Sequence, residues 1–163
     1  MSNTITQLNH AARTGDAEFL LNLIEAGADI NAQDERGYTP LIIACYNNQV
    51  KSAELLIAAG ADVNATDFGG NTALMGASFK GYPKVAELLL NSGADIDRQH
   101  GNGGTALMFA AMFGRNELIK ILLRRGANKT LLDKRGLSVF DLAAQQGNEE
   151  GIAILEEATL GSY

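Results

Sequence analysis

The sequence predicts an all-α solenoid built from repeated helix–turn–helix units, and three observations lead to that fold class. First, a Gly-Ala pair recurs with a spacing of 33 residues, at Gly27, Gly60, Gly93 and Gly126. Second, a stretch of apolar residues at helical spacing precedes each of these glycines. Third, turn-forming residues follow them, as in "GADINAQDERG". A fixed period of about 20 to 50 residues is typical of a stacked repeat array rather than of a single globular core.

The unit Asp34–Thr66 shows how each element is predicted. It opens with the turn "DERG", after which Thr39 is placed as an N-cap and Pro40 as the first helical residue. A short helix runs through "LIIACYN", and a second covers Val50–Ala59. Gly60 ends the second helix as the expected C′ residue. Since so short a helix pair cannot bury its apolar face alone, we expect it to pack on copies of itself.

The other units align with this one without gaps. We expect one domain over 1–163, with units at about 1–33, 34–66, 67–99, 100–132 and 133–163. The first and last units are incomplete. In the last one, Gly151 occupies an apolar helix position, where glycine costs roughly 1 kcal/mol relative to alanine. We therefore expect the C-terminal helix, Glu149–Ala158, to fray.

Composition narrows the function classes. The chain has 163 residues, 46% of them hydrophobic, and a net charge of −6, which disfavours general attraction to nucleic acid or to an anionic membrane. Cys45 is the only cysteine, so no internal disulfide can form, and we expect it to be buried. We see no secretory signal and no apolar run of the roughly 20 residues that cross a bilayer. A soluble, cytoplasmic, monomeric protein is expected.

Few residues of the sequence are arranged for catalysis or metal binding. His10 and His100 lie about three units apart, so they cannot share a site in one molecule. Asp95, Asp97 and His100 are close in sequence but match no established metal-ligand spacing. "GNGGT" before a predicted helix lacks the lysine of a phosphate-binding loop. We expect no enzyme, no cofactor and no metal.

A basic cluster stands out in the C-terminal third. Between Arg115 and Arg135 seven basic residues face Glu117 and Asp133, a balance of 7 − 2 = +5, which leaves −6 − 5 = −11 for the rest. These residues could be solvated helix faces that also compensate a helix dipole, or a patch that recognises an acidic partner. Nucleic acid is the least favoured reading.

Two motifs resemble a known family. "GYTPLIIA", followed after a break by "LLIAAGADVN" on a 33-residue period, is similar to the ankyrin repeat, and the likeness covers nearly the whole chain. The resemblance implies antiparallel helix pairs with projecting β-turn hairpin tips. It also implies protein binding, without chemistry, through the tips and the concave face of the first helices. The family's usual histidine after "TPL" is absent, so the hydrogen bond that it makes between loops is expected to be missing.

The resemblance also implies which residues would contact a partner. Carried over position by position, the exposed recognition positions contain aromatic and Met residues, which are not expected where a side chain faces only water, together with basic residues. The predicted binding residues are Tyr38, Tyr46, Phe68, Phe79, Lys80, Met112, Phe113, Lys134 and Arg135. These side chains could form a binding patch, or the rings could pack on one another as structural cover.

Two functional classes remain. The favoured one is a non-catalytic module that binds a protein partner, acidic where it meets the C-terminal third, as a scaffold or as an inhibitor, immunity or effector protein. The alternative is a structural or orphan repeat, or a fragment of a larger scaffold, with no dedicated ligand.

Overall fold

A computed structural model describes residues 2–159. This part of the chain forms ten helices and no strand, apart from one isolated antiparallel bridge between Thr66 and Thr72. The helices are α1 Ser2–Thr14, α2 Ala17–Glu25, α3 Pro40–Tyr46, α4 Val50–Ala58, α5 Ala73–Lys80, α6 Pro83–Asn91, α7 Ala106–Met112, α8 Asn116–Arg124, α9 Val139–Gln145 and α10 Glu149–Thr159. Within 2–159 no helix is long and apolar enough to cross a membrane.

Local signals explain where the helices begin and end. The hydroxyls of Thr39, Thr72 and Thr105 each accept a hydrogen bond from the backbone N–H three residues on, which starts α3, α5 and α7. At the other end of the pair, Gly60 takes the left-handed conformation, with φ of 100°, just after α4. The predicted all-α fold and its capping pattern are confirmed.

The core lies between the two rows of helices. Odd-numbered helices pack on one another, even-numbered helices do the same, and the helices of a pair pack together. Small residues allow the odd-numbered helices to approach, since Ala44, Ala77 and Ala110 are all fully buried. The leucines of successive units form the rest of the interior: Leu41, Leu74 and Leu107 on the odd-numbered helices, and Leu56, Leu89 and Leu122 on the even-numbered ones.

Four hairpin tips, at 34–38, 67–71, 100–104 and 133–137, connect the units. In three of them an aspartate oxygen accepts two backbone N–H groups, as Asp34 Oδ1 does from Arg36 and Tyr38, both at 2.9 Å. The tip at 100–104 differs, because His100 Nδ1 accepts the N–H of Gly104 instead, at 2.9 Å. Every tip is therefore held by its own first side chain.

Hydrogen bonds also join neighbouring units despite the missing histidine. Backbone bonds link adjacent tips, for example from Phe68 N to Arg36 O at 3.1 Å. Gln33 donates to the carbonyl of Thr66 in the next unit at 2.9 Å, and Asn64 accepts from the N–H of Asp95 at 2.7 Å. Neighbouring units are thus joined by backbone groups and amide side chains in place of that histidine.

The interpretation of Gly151 needs correction. It lies at the third residue of α10, and a Cβ there would overlap Nδ2 of Asn148 and lie 2.7 Å from its Cγ. That Nδ2 donates to Ala111 O at 3.0 Å and to Asn116 Oδ1 at 2.9 Å, while Asn148 Oδ1 accepts the N–H of Gly151 at 3.0 Å. Gly151 therefore makes room for a side chain that bonds the last unit to its neighbour.

Candidate functional site

The groove is the surface between the hairpin tips and the odd-numbered helices, and two cavities open on it. Because each unit contributes one tip and one odd-numbered helix, side chains 33 residues apart lie in neighbouring units along the groove. Arg13, Tyr46, Phe79 and Met112 are one such series, at the C-terminal ends of successive odd-numbered helices.

Three aromatic rings form a continuous row on the groove. The rings of Tyr46 and Phe79 are stacked, with their centroids 6.1 Å apart, and Phe113 meets Phe79 edge to face at 4.5 Å. Lys80 places its Nζ 5.0 Å from the centroid of the Tyr46 ring, within range of a cation–π interaction. Tyr46 and Phe113 remain 42% and 43% exposed, so the row is an apolar surface that water still reaches. We call Tyr46, Phe79 and Phe113 the aromatic row.

The first cavity, of about 450 Å³, lies between the aromatic row and the tips at 34–38 and 67–71. Tyr38, Tyr46, Phe79 and Phe109 line it with apolar surface. Arg13 and Arg36 also line it, and neither guanidinium forms a hydrogen bond or ion pair with any part of 2–159. The cavity therefore combines an aromatic lining with two unpaired positive charges.

The second cavity, of about 400 Å³, lies in the C-terminal half of the groove. Met112, Lys134 and Arg135 line it together with Phe109, which lines both cavities. Arg135 pairs with Asp133 at 2.9 Å. The N–H of Leu137, chiefly, and then the side chain and N–H of Arg135 hold the pKa of Asp133 below its ordinary value. Arg135 is partly neutralised by this pair.

The predicted binding residues thus fall into three places. The aromatic row and Lys80 form one cluster, with Tyr38 in the first cavity beside it. Met112, Lys134 and Arg135 gather at the second cavity. Phe68 stands apart on its tip, 71% exposed.

The basic cluster of the C-terminal third does not form one surface. Arg115 donates from Nε to Phe79 O at 3.0 Å, and Arg125 pairs with Glu87 on α6 at 3.0 Å. Lys129 donates from Nζ to Leu155 O at 3.3 Å. Of the seven basic residues, Lys134 and Arg135 are the two that line a groove cavity. Within this cluster, these are the two residues that an acidic partner in the groove could meet.

The cysteine and the possible metal ligands are the remaining side chains to place. Cys45 is fully buried, as expected, and its burial raises the pKa of the thiol to about 12. A thiol in that state is protonated and a poor nucleophile. Between residues 2 and 159 there is no group of three His, Cys, Asp or Glu side chains that could hold a metal ion.

Comparison with known proteins supports the same fold. The family description "Ankyrin repeats (3 copies)" matches residues 8–100 and 93–159, most of the chain. The chain belongs to the ankyrin repeat family. Ankyrin repeats are protein–protein interaction modules, so binding a protein is the general property that membership brings. The ten paired helices and projecting tips described above are the ankyrin architecture.

One curated relative is similar over part of its length. NF-kappa-B inhibitor alpha from Gallus gallus is 41% identical over 51 residues. That match covers 31% of this chain and 16% of the relative. The chain therefore matches only a small part of that protein.

Four groove residues were missed or passed over by the sequence-based prediction. The prediction does not include Arg13, because the first unit lacks a complete motif, or Arg36, although Arg36 occupies a recognition position. Phe109 is not among the predicted binding residues either. Gly76, which also lines the first cavity, is the one of the four that the sequence marks as unusual, because it is a glycine inside a helix that it does not end.

Proposed function

We propose that this protein is a non-catalytic module that binds a protein partner through its groove and hairpin tips, with the aromatic row at the centre. The aromatic row carries the proposal. Its rings come from three successive units, touch one another, and still leave Tyr46 and Phe113 more than two-fifths exposed. Aromatic side chains of this kind supply much of the binding energy at the centre of protein interfaces.

Several finer points belong to the same proposal. The partial likeness to a protein named as an inhibitor favours an inhibitory role over a scaffolding one. An immunity or effector protein would bind its partner through the same surface. Lys134 and Arg135 favour an acidic contact at the C-terminal end of the groove. The proposal also includes a cytoplasmic location, which a single free cysteine fits, and a monomeric state.

The alternative is that the aromatic row is structural cover. The ring contacts favour it, because the Phe79 ring lies between two other rings and is partly buried. On that view the rings shield the ends of α3, α5 and α7, and the protein has no ligand at this surface. The two roles differ in what removal of Phe113 changes: partner affinity in one case, stability alone in the other.

The test is affinity capture from the native cell extract, with the partner identified by mass spectrometry and its affinity measured by calorimetry. Phe79→Ala and Phe113→Ala should each weaken binding by about 1–2 kcal/mol or more, as hot-spot residues do. Lys120→Ala on α8, an even-numbered helix away from the groove, is the control and should leave affinity unchanged. The affinities are compared per folded molecule. If Phe113→Ala lowers stability but leaves affinity at the wild-type value, the aromatic row is structural cover.

A further inference from the structure

Gly76 is an unusual residue for its position. It lies inside α5 and lines the first cavity. The same position carries Ile43, Phe109 and Leu142 in the second, fourth and fifth units, which each place a bulky apolar side chain there, and His10 in the first. Glycine is the poorest helix former after proline, and here it does not end the helix. Some other requirement must favour it.

Neither the backbone nor the packing requires a glycine at this point. Gly76 does not have the positive φ that favours glycine. Beyond its own helix, an added Cβ would meet one atom within 4 Å, Cδ2 of Tyr46 at 3.3 Å. The Tyr46 ring is 42% exposed and can move by the few tenths of an ångström that this contact needs. What the missing side chain does is leave space in the groove floor between Ile43 and Phe109, which both line the same cavity.

The charges around this space are unbalanced. Arg13 and Arg36 line the cavity without a partner in the described chain. One carboxylate, Asp67, lines it too, but its Oδ1 accepts the N–H groups of Gly69 and Asn71, at 2.8 and 2.9 Å. Its Oδ2 accepts the Asn71 side chain at 3.2 Å. The lining therefore carries a net formal charge of 2 − 1 = +1, and its carboxylate is already hydrogen-bonded to its own tip, in a protein whose net charge is −6.

We propose that the space above Gly76 is an anchor pocket for an acidic peptide segment of the partner, which inserts one bulky apolar side chain and places carboxylates on Arg13 and Arg36. This inference rests on the proposed function and specifies the chemistry of the partner. The apolar side chain packs against Tyr38, Tyr46 and Phe109, and replaces the side chain that Gly76 lacks.

The two guanidinium groups favour a bound segment that carries negative charge. Arginine pairs with carboxylates through two parallel hydrogen bonds, and it loses little hydration when it does so. A basic segment would instead face two unpaired cations. The cavity volume of about 450 Å³ lies within the usual range for ligand pockets, roughly 300 to 1,000 Å³, and is ample for one side chain and its flanking backbone.

The test is selection of phage-displayed random nonapeptides on the full-length protein, followed by fluorescence anisotropy with the enriched peptides. The peptides should carry Asp or Glu beside a Leu, Ile, Met or Phe. Gly76→Leu, which copies the residue at Leu142, should weaken their binding at least tenfold and abolish the apolar preference. Gly76→Ala adds a single methyl group and should weaken binding several-fold, so it serves as the milder variant if Gly76→Leu does not fold.

The charge is tested separately. Arg13→Gln/Arg36→Gln should weaken binding at least tenfold and remove the preference for acidic residues. Arg98→Gln/Arg124→Gln removes the same charge from exposed arginines that do not line this cavity, and should change affinity less than twofold.

Each contrary result has a distinct meaning. If the enriched peptides depend on Phe79 but show no acidic preference, or bind Gly76→Leu as tightly as wild type, the anchor pocket is wrong and the proposed function stands. If no enriched peptide depends on Phe79 or Phe113, both fail. If sedimentation shows a wild-type dimer that Gly76→Leu disperses, a second copy of this chain occupies the pocket and the inference is wrong.

Discussion

Gly151→Ala should destabilise the protein, although helix propensity alone predicts the reverse. Replacing a helical glycine by alanine stabilises by up to about 1 kcal/mol. In this structure, however, the new Cβ would overlap the Asn148 side chain, which must then move away from Ala111 O and Asn116 Oδ1. Losing two hydrogen bonds of about 1 kcal/mol each outweighs the propensity gain, so we expect a net loss of about 1 kcal/mol.

A second variant isolates the cause. Asn148→Ala removes the same two bonds and the N-cap of α10, and should cost about 3 kcal/mol, at about 1 kcal/mol per interaction. In that background there is no side chain left to displace, so Gly151→Ala should become stabilising by up to about 1 kcal/mol. Whether Gly151→Ala stabilises or destabilises the protein thus depends on the residue at position 148.

Urea unfolding followed by far-UV circular dichroism measures all four proteins of this cycle. With a slope of about 2 kcal/mol per molar, a change of 1 kcal/mol moves the midpoint by about 0.5 M, which is readily resolved. If Gly151→Ala raises the midpoint in the wild-type background, Asn148 does not hold the last unit in the way described. Gly151 then only weakens its helix, as helix propensity alone predicts.

Three further predictions follow from burial, position and charge. Cys45 should react with a thiol reagent far more slowly in the folded protein than in denaturant, because it is buried and its pKa is raised to about 12; equal rates would show that it is accessible. Amide exchange should show α10 opening before α6, since within residues 2–159 α10 packs mainly on α8 and α9 whereas α6 packs on α4, α5 and α8, and the reverse order would contradict this. Because the pKa of Asp133 is lowered on folding, its contribution to stability is present above its ordinary pKa of 3.8 and lost as pH falls through the folded value. Asp133→Asn should therefore show a smaller loss of stability between pH 5 and pH 2 than wild type, and an unchanged loss would refute the assignment.

The fold was predictable because its determinants are local and repeated. A threonine cap, apolar residues at helical spacing and a C′ glycine each act over a few residues. The glycine that recurs four times, every 33 residues, shows which segments are equivalent. The adjacency of Phe79 and Phe113 could be foreseen for the same reason. The period places them in neighbouring units, and their rings are found 4.5 Å apart.

Features that depend on side-chain reach could not be foreseen. The residue after the inter-helix turn is Gln49, Arg115 or Asn148 in different units, and each donates to a carbonyl of the preceding unit. Asn148 is the shortest of the three and reaches that far only because Gly151 leaves room. Likewise, nothing in the local pattern shows that Arg13 and Arg36, 23 positions apart, line one cavity. Whether the groove residues bind a partner stays a prediction.

The extensive helix contacts join helices of the same pair or of adjacent pairs, so no unit needs a distant part of the chain in order to pack. Contacts this close in sequence favour rapid folding, since little loop-closure entropy opposes them. They also let the chain lengthen or shorten by whole units. Removing residues 67–99 would join Thr66 to His100 in the existing register and shorten the groove by one position in each series. An ancestral gene could therefore have changed the reach of its binding surface by unequal recombination without redesigning the interior.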